Sequence, residues 1–283
     1  MKLAPLELRT PSSMEEALQQ LAALGSDAQV LAGGQSLLPL LRYRVLRPHV
    51  LLDINRIAPL SQLSFGAHGV RIGALVRHAA LEQARTDSHA PLVSLLNAHA
   101  REIAFWAVRN RGTAVGSIVQ ADPKGDWPLM FCALDAHIDM ASTRGVRSMP
   151  VRDFILGPLL TARAVDELAT ALTIAPRQAS LSAWGRAKLM HRAGEYAMCS
   201  APALRFSNTR EWWLGAVGDK PCALPALADA LATGGDAVPR ATLLTAASQD
   251  IEAALPELNR LERHRHAVNA VDAAERALKR HAP

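Results

Sequence analysis

Two short segments of the chain combine glycines with side-chain hydroxyls, which are residue types that bind phosphate groups. The first covers residues 32–36, Ala-Gly-Gly-Gln-Ser, and the second residues 112–117, Gly-Thr-Ala-Val-Gly-Ser. Glycine lets the backbone approach a ligand without a Cβ clash, and consecutive N–H groups form concavities that bind anions. Each segment alone also fits an ordinary connecting turn. Together they suit the two phosphates of a diphosphate, so the sequence favours a nucleotide cofactor.

The usual catalytic motifs are absent from the sequence. It contains no G-x-G-x-x-G, G-x-x-x-x-G-K-[ST], H-E-x-x-H, G-x-S-x-G or C-x-x-C. Residues 215–220 only resemble the second of these motifs, and we predict a β-turn there. The three cysteines, Cys132, Cys199 and Cys222, are too few for a four-cysteine iron–sulfur cluster within this chain. We predict no metal site, no nucleophile and no general base.

Apolar spacing predicts the elements that hold the two segments. Residues 29–31 form a strand that runs into the first segment, while residues 110–117 are predicted as a loop. Ser13 and Glu16 fit a capping box for a helix that ends near Gly25. Further strands are predicted at residues 6–8, 50–54, 70–74, 137–141, 146–151 and 172–174, and helices at residues 79–85, 91–103 and 127–134.

The pattern changes at about residue 178. Strand-like runs at residues 184–190, 196–206 and 211–217 are followed by helical windows at 225–232, 241–254 and 260–279. Strands followed by helices predict an α+β unit, so we place a domain boundary near Arg177. The window 260–281 contains six Lys or Arg and three Asp or Glu, which gives it a net charge of +3. It is either a solvated face or a docking surface for a partner.

The composition excludes several classes of protein. Of 283 residues, 49% are hydrophobic and 20% charged, which is typical of a globular protein and not of a disordered one. A net charge of +5 is too small to argue for nucleic acid. No run approaches the roughly 20 apolar residues of a membrane span, and the first residues lack a secretory signal. We therefore expect a cytoplasmic protein without a membrane span.

Five motifs, in their order and spelling, resemble the FAD-binding medium subunit of molybdenum hydroxylases. That family includes the carbon monoxide dehydrogenase medium chain and the flavin domain of xanthine dehydrogenase. The motifs lie at residues 32–39, 109–117, 121–128, 192–197 and 215–221. The resemblance implies an α+β fold. A PCMH-type FAD-binding domain (1–177), with α/β subdomains of about 1–56 and 57–177, would precede a C-terminal domain (178–283), an antiparallel sheet with helices.

The resemblance also implies an FAD site. Both glycine segments would hold the pyrophosphate. Asp126 would contact the adenosine ribose, Lys188 would stabilise negative charge on the reduced flavin, and Tyr196 would lie beside the isoalloxazine. From the residues alone, these three also fit a helix N-terminus, a surface lysine and an edge or core aromatic. The full set of implied cofactor-binding residues is Leu31, Ala32, Gly33, Gly34, Gln35, Ser36, Leu37, Thr113, Ala114, Gly116, Ser117, Asp126, Lys188 and Tyr196.

The chain departs from the family pattern at several positions. Val115 stands where relatives usually have glycine, and a β-branched residue disfavours a left-handed backbone. If that conformation is needed there, FAD binding is weakened. Gln120 replaces a frequent histidine, Lys124 and Gly125 replace small apolar residues, and Glu195 replaces the usual aspartate. The adjacent Trp212 and Trp213 are unusual and are either core residues or partner contacts.

The implied function is electron transfer. The chain would bind FAD in a complex with a large molybdopterin-binding subunit and a small subunit carrying two [2Fe–2S] clusters, as a dimer of heterotrimers. It would take electrons from the clusters and pass them to an external acceptor. Val115 and the basic last helix motivate one alternative, an assembly subunit that has lost FAD. A stand-alone flavin oxidase is a third reading, for which the sequence offers no motif.

Overall fold

A computed structural model describes residues 3–206, 210–215, 217–234 and 238–279. Three larger sheets with their helices follow one another along the chain, and residues 155–161 form a fourth sheet of two short antiparallel strands. The first sheet is parallel, with strand order β1-β3-β2. The Ser13 hydroxyl accepts the N–H of Glu16 at 3.1 Å, which confirms the predicted helix start. The Glu16 carboxylate accepts from Ser12 rather than from Ser13. The elements are β1 (Glu7–Arg9), α1 (Met14–Leu24), β2 (Ala28–Leu31), α2 (Leu37–Arg42) and β3 (Val50–Asp53).

The second sheet has five antiparallel strands in the order β4-β5-β10-β6-β7. It shares one apolar core with α1 and the first sheet, centred on large buried side chains such as Trp127, Phe131 and Phe154. Its elements are β4 (Leu63–Gly66), β5 (Gly69–Gly73), α3 (His78–Gln83), α4 (Ala90–Arg101), α5 (Trp106–Arg109), α6 (Ala114–Gln120), α7 (Asp126–Ala133), β6 (His137–Ser142), β7 (Gly145–Pro150), α8 (Val151–Phe154), β8 (Ile155–Gly157), β9 (Leu160–Thr161), β10 (Leu168–Ile174) and α9 (Pro176–Ala179).

The third sheet is antiparallel and follows the chain order β11-β12-β13-β14. The helices after it pack on the sheet and form a second core. A Cβ on Gly185 would overlap the Ala273 carbonyl, so the last helix lies directly on the first strand of the sheet. The elements are β11 (Ala183–Leu189), β12 (Cys199–Arg205), β13 (Arg210–Leu214), β14 (Cys222–Ala223), α10 (Pro225–Gly234), α11 (Arg240–Ala254) and α12 (Arg260–Lys279).

This architecture confirms the α+β prediction and most of the predicted elements. The main correction concerns residues 110–117, which are not a loop throughout: Thr113 caps α6, and α6 begins at Ala114. A helix of seven residues is too short to show a full apolar period in the sequence. The strand predicted from residue 196 begins at Cys199, and the strand predicted at 211–217 ends at Leu214.

Other predictions concern the C-terminal part of the chain and the boundary between the two domains. Trp212 and Trp213 are buried, as expected of core residues. The basic window forms helix α12, and one face of this helix packs into the second core. Ala216 of the strand predicted at 211–217 and residues 280–281 of the basic window lie outside the described residues. Arg177 lies in α9, between the second and third sheets. None of the helices in the described ranges has both the length and the apolarity to cross a membrane.

Candidate functional site

The two glycine segments are in direct contact. The first follows the carboxyl end of β2, and the second leads into α6. A Cβ on Gly33 would overlap the Arg111 carbonyl oxygen and come within 2.8 Å of the Gly112 Cα. Gly34 has φ +72°, a conformation that side chains disfavour. The contact between the segments therefore requires Gly33, and the backbone conformation of the first segment requires Gly34.

A cavity of about 440 Å³ opens between the two segments. This volume lies in the range typical of small-molecule sites. Its walls include apolar side chains from α2 and from β10. Leu31, the last residue of β2, and the fully buried Ala114 are not among the lining residues. The predicted site residues that do line it are Ala32, Gly33, Gly34, Gln35, Ser36, Leu37, Thr113, Gly116 and Ser117.

Val115 is among the residues that line the cavity, and it fits the backbone of the second segment. It lies in the first turn of α6, where its side chain packs into the core and is 2% exposed. Its φ is not positive, so the left-handed backbone considered above is not needed. The following Gly116 donates its N–H to the Thr113 hydroxyl at 3.1 Å, and a Cβ there would come within 2.7 Å of that oxygen.

Two polar side chains outside the cavity connect the two segments by hydrogen bonds. The Asn55 side-chain amide donates to the Ala32 carbonyl at 2.9 Å. Arg77 donates to the Asn55 side-chain oxygen and to the Arg111 carbonyl, each at 2.6 Å. This Asn55–Arg77 clamp joins one glycine segment to the other. It therefore sets the spacing of the cavity walls without lining the cavity.

We expect loss of the clamp to weaken cofactor binding without unfolding the chain. Because each lost hydrogen bond costs about 1 kcal/mol or more, Arg77→Met should raise the Kd of FAD about tenfold. The single and double variants with Asn55→Ala, titrated with FAD, measure the coupling of the two side chains. Arg71→Met, which breaks an ion pair with Asp139 outside the cavity, is the control. Equal FAD affinity of the Arg77 and Arg71 variants would contradict the clamp.

Asp126 and Lys188 form a buried ion pair at 2.8 Å. The Lys188 side chain is 2% exposed, so the surface-lysine reading is wrong. Its ammonium also donates to the Glu102 carbonyl at 3.1 Å. Burial raises the pKa of Asp126, and the Lys188 charge opposes that rise. Asp126 is also the first residue of α7, as the helix-terminus reading expected.

Tyr196 lies at the surface beside this pair. The residue is 63% exposed, which excludes a core aromatic and leaves the edge interpretation. Partial burial, followed by the Asp122 carboxylate and then Asp126, raises the pKa of the phenol to about 12. Asp122 lies two residues after Gln120, which lines the cavity. Tyr196 itself is not among the residues that line the cavity.

A histidine that sequence reasoning missed connects the ion pair to the cavity. The Trp127 indole donates to His78 Nδ1 at 2.9 Å, and His78 lines the cavity. Trp127 follows Asp126 directly, and His99 Nε2 lies 3.0 Å from the Asp126 carbonyl. His78 begins α3 and lies 49 residues from Trp127, so no local pattern could have paired them.

The buried histidines predict an acid-sensitive fold. Burial first, then Arg77 and Arg109, lowers the pKa of His78 to about 4 from 6.5, and burial lowers that of His99 as well. A group with a lowered folded pKa contributes stability above its unfolded pKa and loses it as pH falls. His78 should therefore remove up to about 3 kcal/mol of unfolding free energy between pH 6.5 and 4.

Urea unfolding at a series of pH values measures this loss. His78→Phe should flatten the pH dependence by about the contribution of His78. The exposed His68→Asn variant is the control and should leave the curve unchanged. Parallel curves for wild type and His78→Phe would show that His78 does not stay neutral in the fold.

The cavity lies between the edge of a parallel sheet and a capped helix, and glycines and hydroxyls form its walls. These features are typical of a protein that binds a phosphate-containing cofactor. Residues 4–177, more than half of the chain, match the family described as FAD binding domain in molybdopterin dehydrogenase. The chain belongs to this family, and FAD is its cofactor. The match confirms the resemblance found in the motifs.

The relatives are subunits of oxidoreductases. The nicotine 6-hydroxylase medium subunit of Paenarthrobacter nicotinovorans is 33% identical over 225 residues, 77% of each chain. The glyceraldehyde dehydrogenase medium chain of Sulfolobus acidocaldarius is 38% identical over 74% of each. A chain of carbon monoxide dehydrogenase from Hydrogenophaga pseudoflava superposes with a TM-score of 0.88, at 29% identity over the full length of both. A chain of quinoline 2-oxidoreductase from Pseudomonas putida 86 gives 0.85, at 31% identity over 98% of this chain and 100% of the other.

Proposed function

We propose that the chain holds the FAD diphosphate between the two glycine segments and carries electrons from [2Fe–2S] clusters to an external acceptor. The observation that carries the proposal is that both segments wall one cavity and touch at Gly33. The chemistry that FAD supplies when bound is reversible uptake of electrons. The protein's part is to bind and orient the cofactor and to tune its charge.

The ion pair is the proposed tuning group. Because Asp126 and Lys188 are in contact, we propose that both face the same part of the cofactor, with Lys188 beside the flavin ring. A fixed cation there favours the negative charge of the reduced form. We propose that the exposed Tyr196 covers the ring when FAD is bound. An adenosine ribose contact of Asp126 would require that ribose to lie near the same pair.

Partners are needed to complete the electron path. Burial raises the pKa of Cys132 to about 12, that of Cys222 to about 11 and that of Cys199 further still, so the thiols are poor cluster ligands. This supports [2Fe–2S] clusters on a separate small subunit. We propose in addition a large molybdopterin-binding subunit, and a cytoplasmic dimer of heterotrimers. Relatives that are named as medium subunits or medium chains agree with this assignment.

The flavin content of the purified complex tests the proposal. We would express the chain with its partner subunits, release flavin with acid and quantify it by chromatography. We expect one FAD per chain, freed by acid alone. No flavin in an intact complex would favour the assembly-subunit alternative, and flavin that stays attached after acid treatment would favour an oxidase with a covalent cofactor.

Electron transfer needs its own measurement. With N-heterocycles and aldehydes tried in turn as reductants, FAD-depleted complex should still reduce its clusters but fail to reduce a dye acceptor. Re-addition of FAD should restore dye reduction. Equal dye reduction with and without FAD would remove this chain from the electron path.

A further inference from the structure

The side chain of His78 keeps one polar group free inside the cavity. The residue is 3% exposed. Because Nδ1 accepts the Trp127 N–H, the proton of the neutral ring lies on Nε2. Nε2 lies against Gly112, where a Cβ would come within 2.6 Å of it. Among the described residues, this Nε2–H has no hydrogen-bond acceptor.

We propose that His78 binds the diphosphate directly, with its Nε2–H donating to a phosphate oxygen of a nucleoside diphosphate held by the two glycine segments. The inference rests on the proposed function and adds to it a residue that neither segment contains. The His78 backbone N–H donates to the Gly112 carbonyl at 3.0 Å, which fixes the ring against the second segment. The ring lines the same cavity as both segments.

Trp127 is the positioning residue for this donor. Its indole is held by the His99 ring at 4.9 Å between centroids and by the Phe131 ring at 5.2 Å. The indole donor therefore points in one direction, and it selects the His78 tautomer before any ligand arrives. A donor that is oriented in advance loses little entropy on binding.

The surroundings keep the ring neutral. Arg77 and Arg109 face His78 from its own end of α3 and from α5, and His99 lies on the far side of Trp127. Together with burial, the charges of Arg77 and Arg109 oppose a proton on Nδ1, which would also break the indole bond. The donor consequently has the same form throughout the physiological pH range.

Titration of the flavin-free full-length chain with ADP and with adenosine tests the proposal. His78→Leu removes the donor, whereas His78→Gln keeps an amide N–H near the position of Nε2. Because a hydrogen bond to a charged group is at stake, we expect His78→Leu to weaken ADP binding about tenfold or more, with adenosine binding unchanged. His78→Gln should recover part of the ADP affinity. Equal weakening of both ligands, or of neither, would overturn the inference.

A spectroscopic readout separates direct binding from a structural role. With ¹⁵N-labelled histidine, wild-type His78 should show a protonated Nε2 and an unprotonated Nδ1, and ADP should shift the Nε2 signal. Trp127→Phe should release the tautomer, so that part of the free protein carries the ring proton on Nδ1, and ADP binding should weaken. An Nε2 signal that ADP does not move would overturn the assignment. If wild type binds neither ADP nor FAD, the proposed function falls and this inference with it.

Discussion

Replacing Gly33 with valine should remove FAD from the purified complex. A Cβ at this position would overlap the Arg111 carbonyl oxygen, and the neighbouring backbone of Gly112 leaves no room for a shift. The two glycine segments would have to separate, which misplaces the groups on both sides of the diphosphate. Overpacking of this kind costs about 1–3 kcal/mol, and each 1.4 kcal/mol is tenfold in Kd, so FAD binding should weaken about a hundredfold.

The flavin content of the complex and FAD titration measure this effect. Gly66→Val is the matched control, because a Cβ on Gly66 meets no atom within 4 Å and its φ is ordinary. It should retain FAD fully. Gly116→Val should give a smaller loss, since the group in its way is the Thr113 hydroxyl rather than a backbone carbonyl. One FAD per chain in the Gly33 variant would contradict the proposed cradle.

Lys188→Ala should strongly destabilise the chain. It leaves the Asp126 carboxylate buried without its ion-pair partner, and breaking a buried pair from one side costs about 3–5 kcal/mol. The double variant with Asp126→Asn should recover much of this loss, because no unpaired charge remains. Arg152→Ala, which breaks an exposed pair with Asp135, is the control and should cost about 1 kcal/mol or less.

The loss should also depend on pH in a defined direction. Lys188 holds down the pKa of Asp126, which burial raises, so its removal raises that pKa further. A group with a raised folded pKa contributes stability below its unfolded pKa of about 3.9 and loses it as pH rises. The unfolding free energy of Lys188→Ala should therefore fall further below that of wild type at high pH than at low pH. A deficit that is constant with pH would contradict the buried pair.

The double variant also reports on the flavin. If it retains FAD, its reduction potential is compared with that of the single Asp126→Asn variant, because the double variant removes the anion as well as the cation. Relative to Asp126→Asn, loss of the cation should make the potential more negative, because negative charge on the reduced cofactor is stabilised less. Anaerobic titration of the loaded protein against reference dyes gives the value. An unchanged potential would mean that Lys188 supports the fold and does not tune the cofactor.

The amino-acid sequence by itself determined the cofactor class and most of the elements. The glycines and hydroxyls of the two segments indicated a diphosphate. Glycine permits close approach of the backbone wherever it occurs, and the hydroxyls supply hydrogen-bond donors. Long elements such as α1 and α12 show full apolar periods and were predicted within a few residues. Helix α6 was missed because seven residues do not complete that pattern.

Only the tertiary structure decided how the site is held together. Lys188 and Asp126 are 62 residues apart, Arg77 and the Arg111 carbonyl 34, and His78 and Trp127 49. Such contacts depend on which faces of distant elements meet, and local periodicity does not encode that. The same packing buried a lysine that composition would leave in solvent. It also placed Val115 in a helix, where a β-branched residue is tolerated.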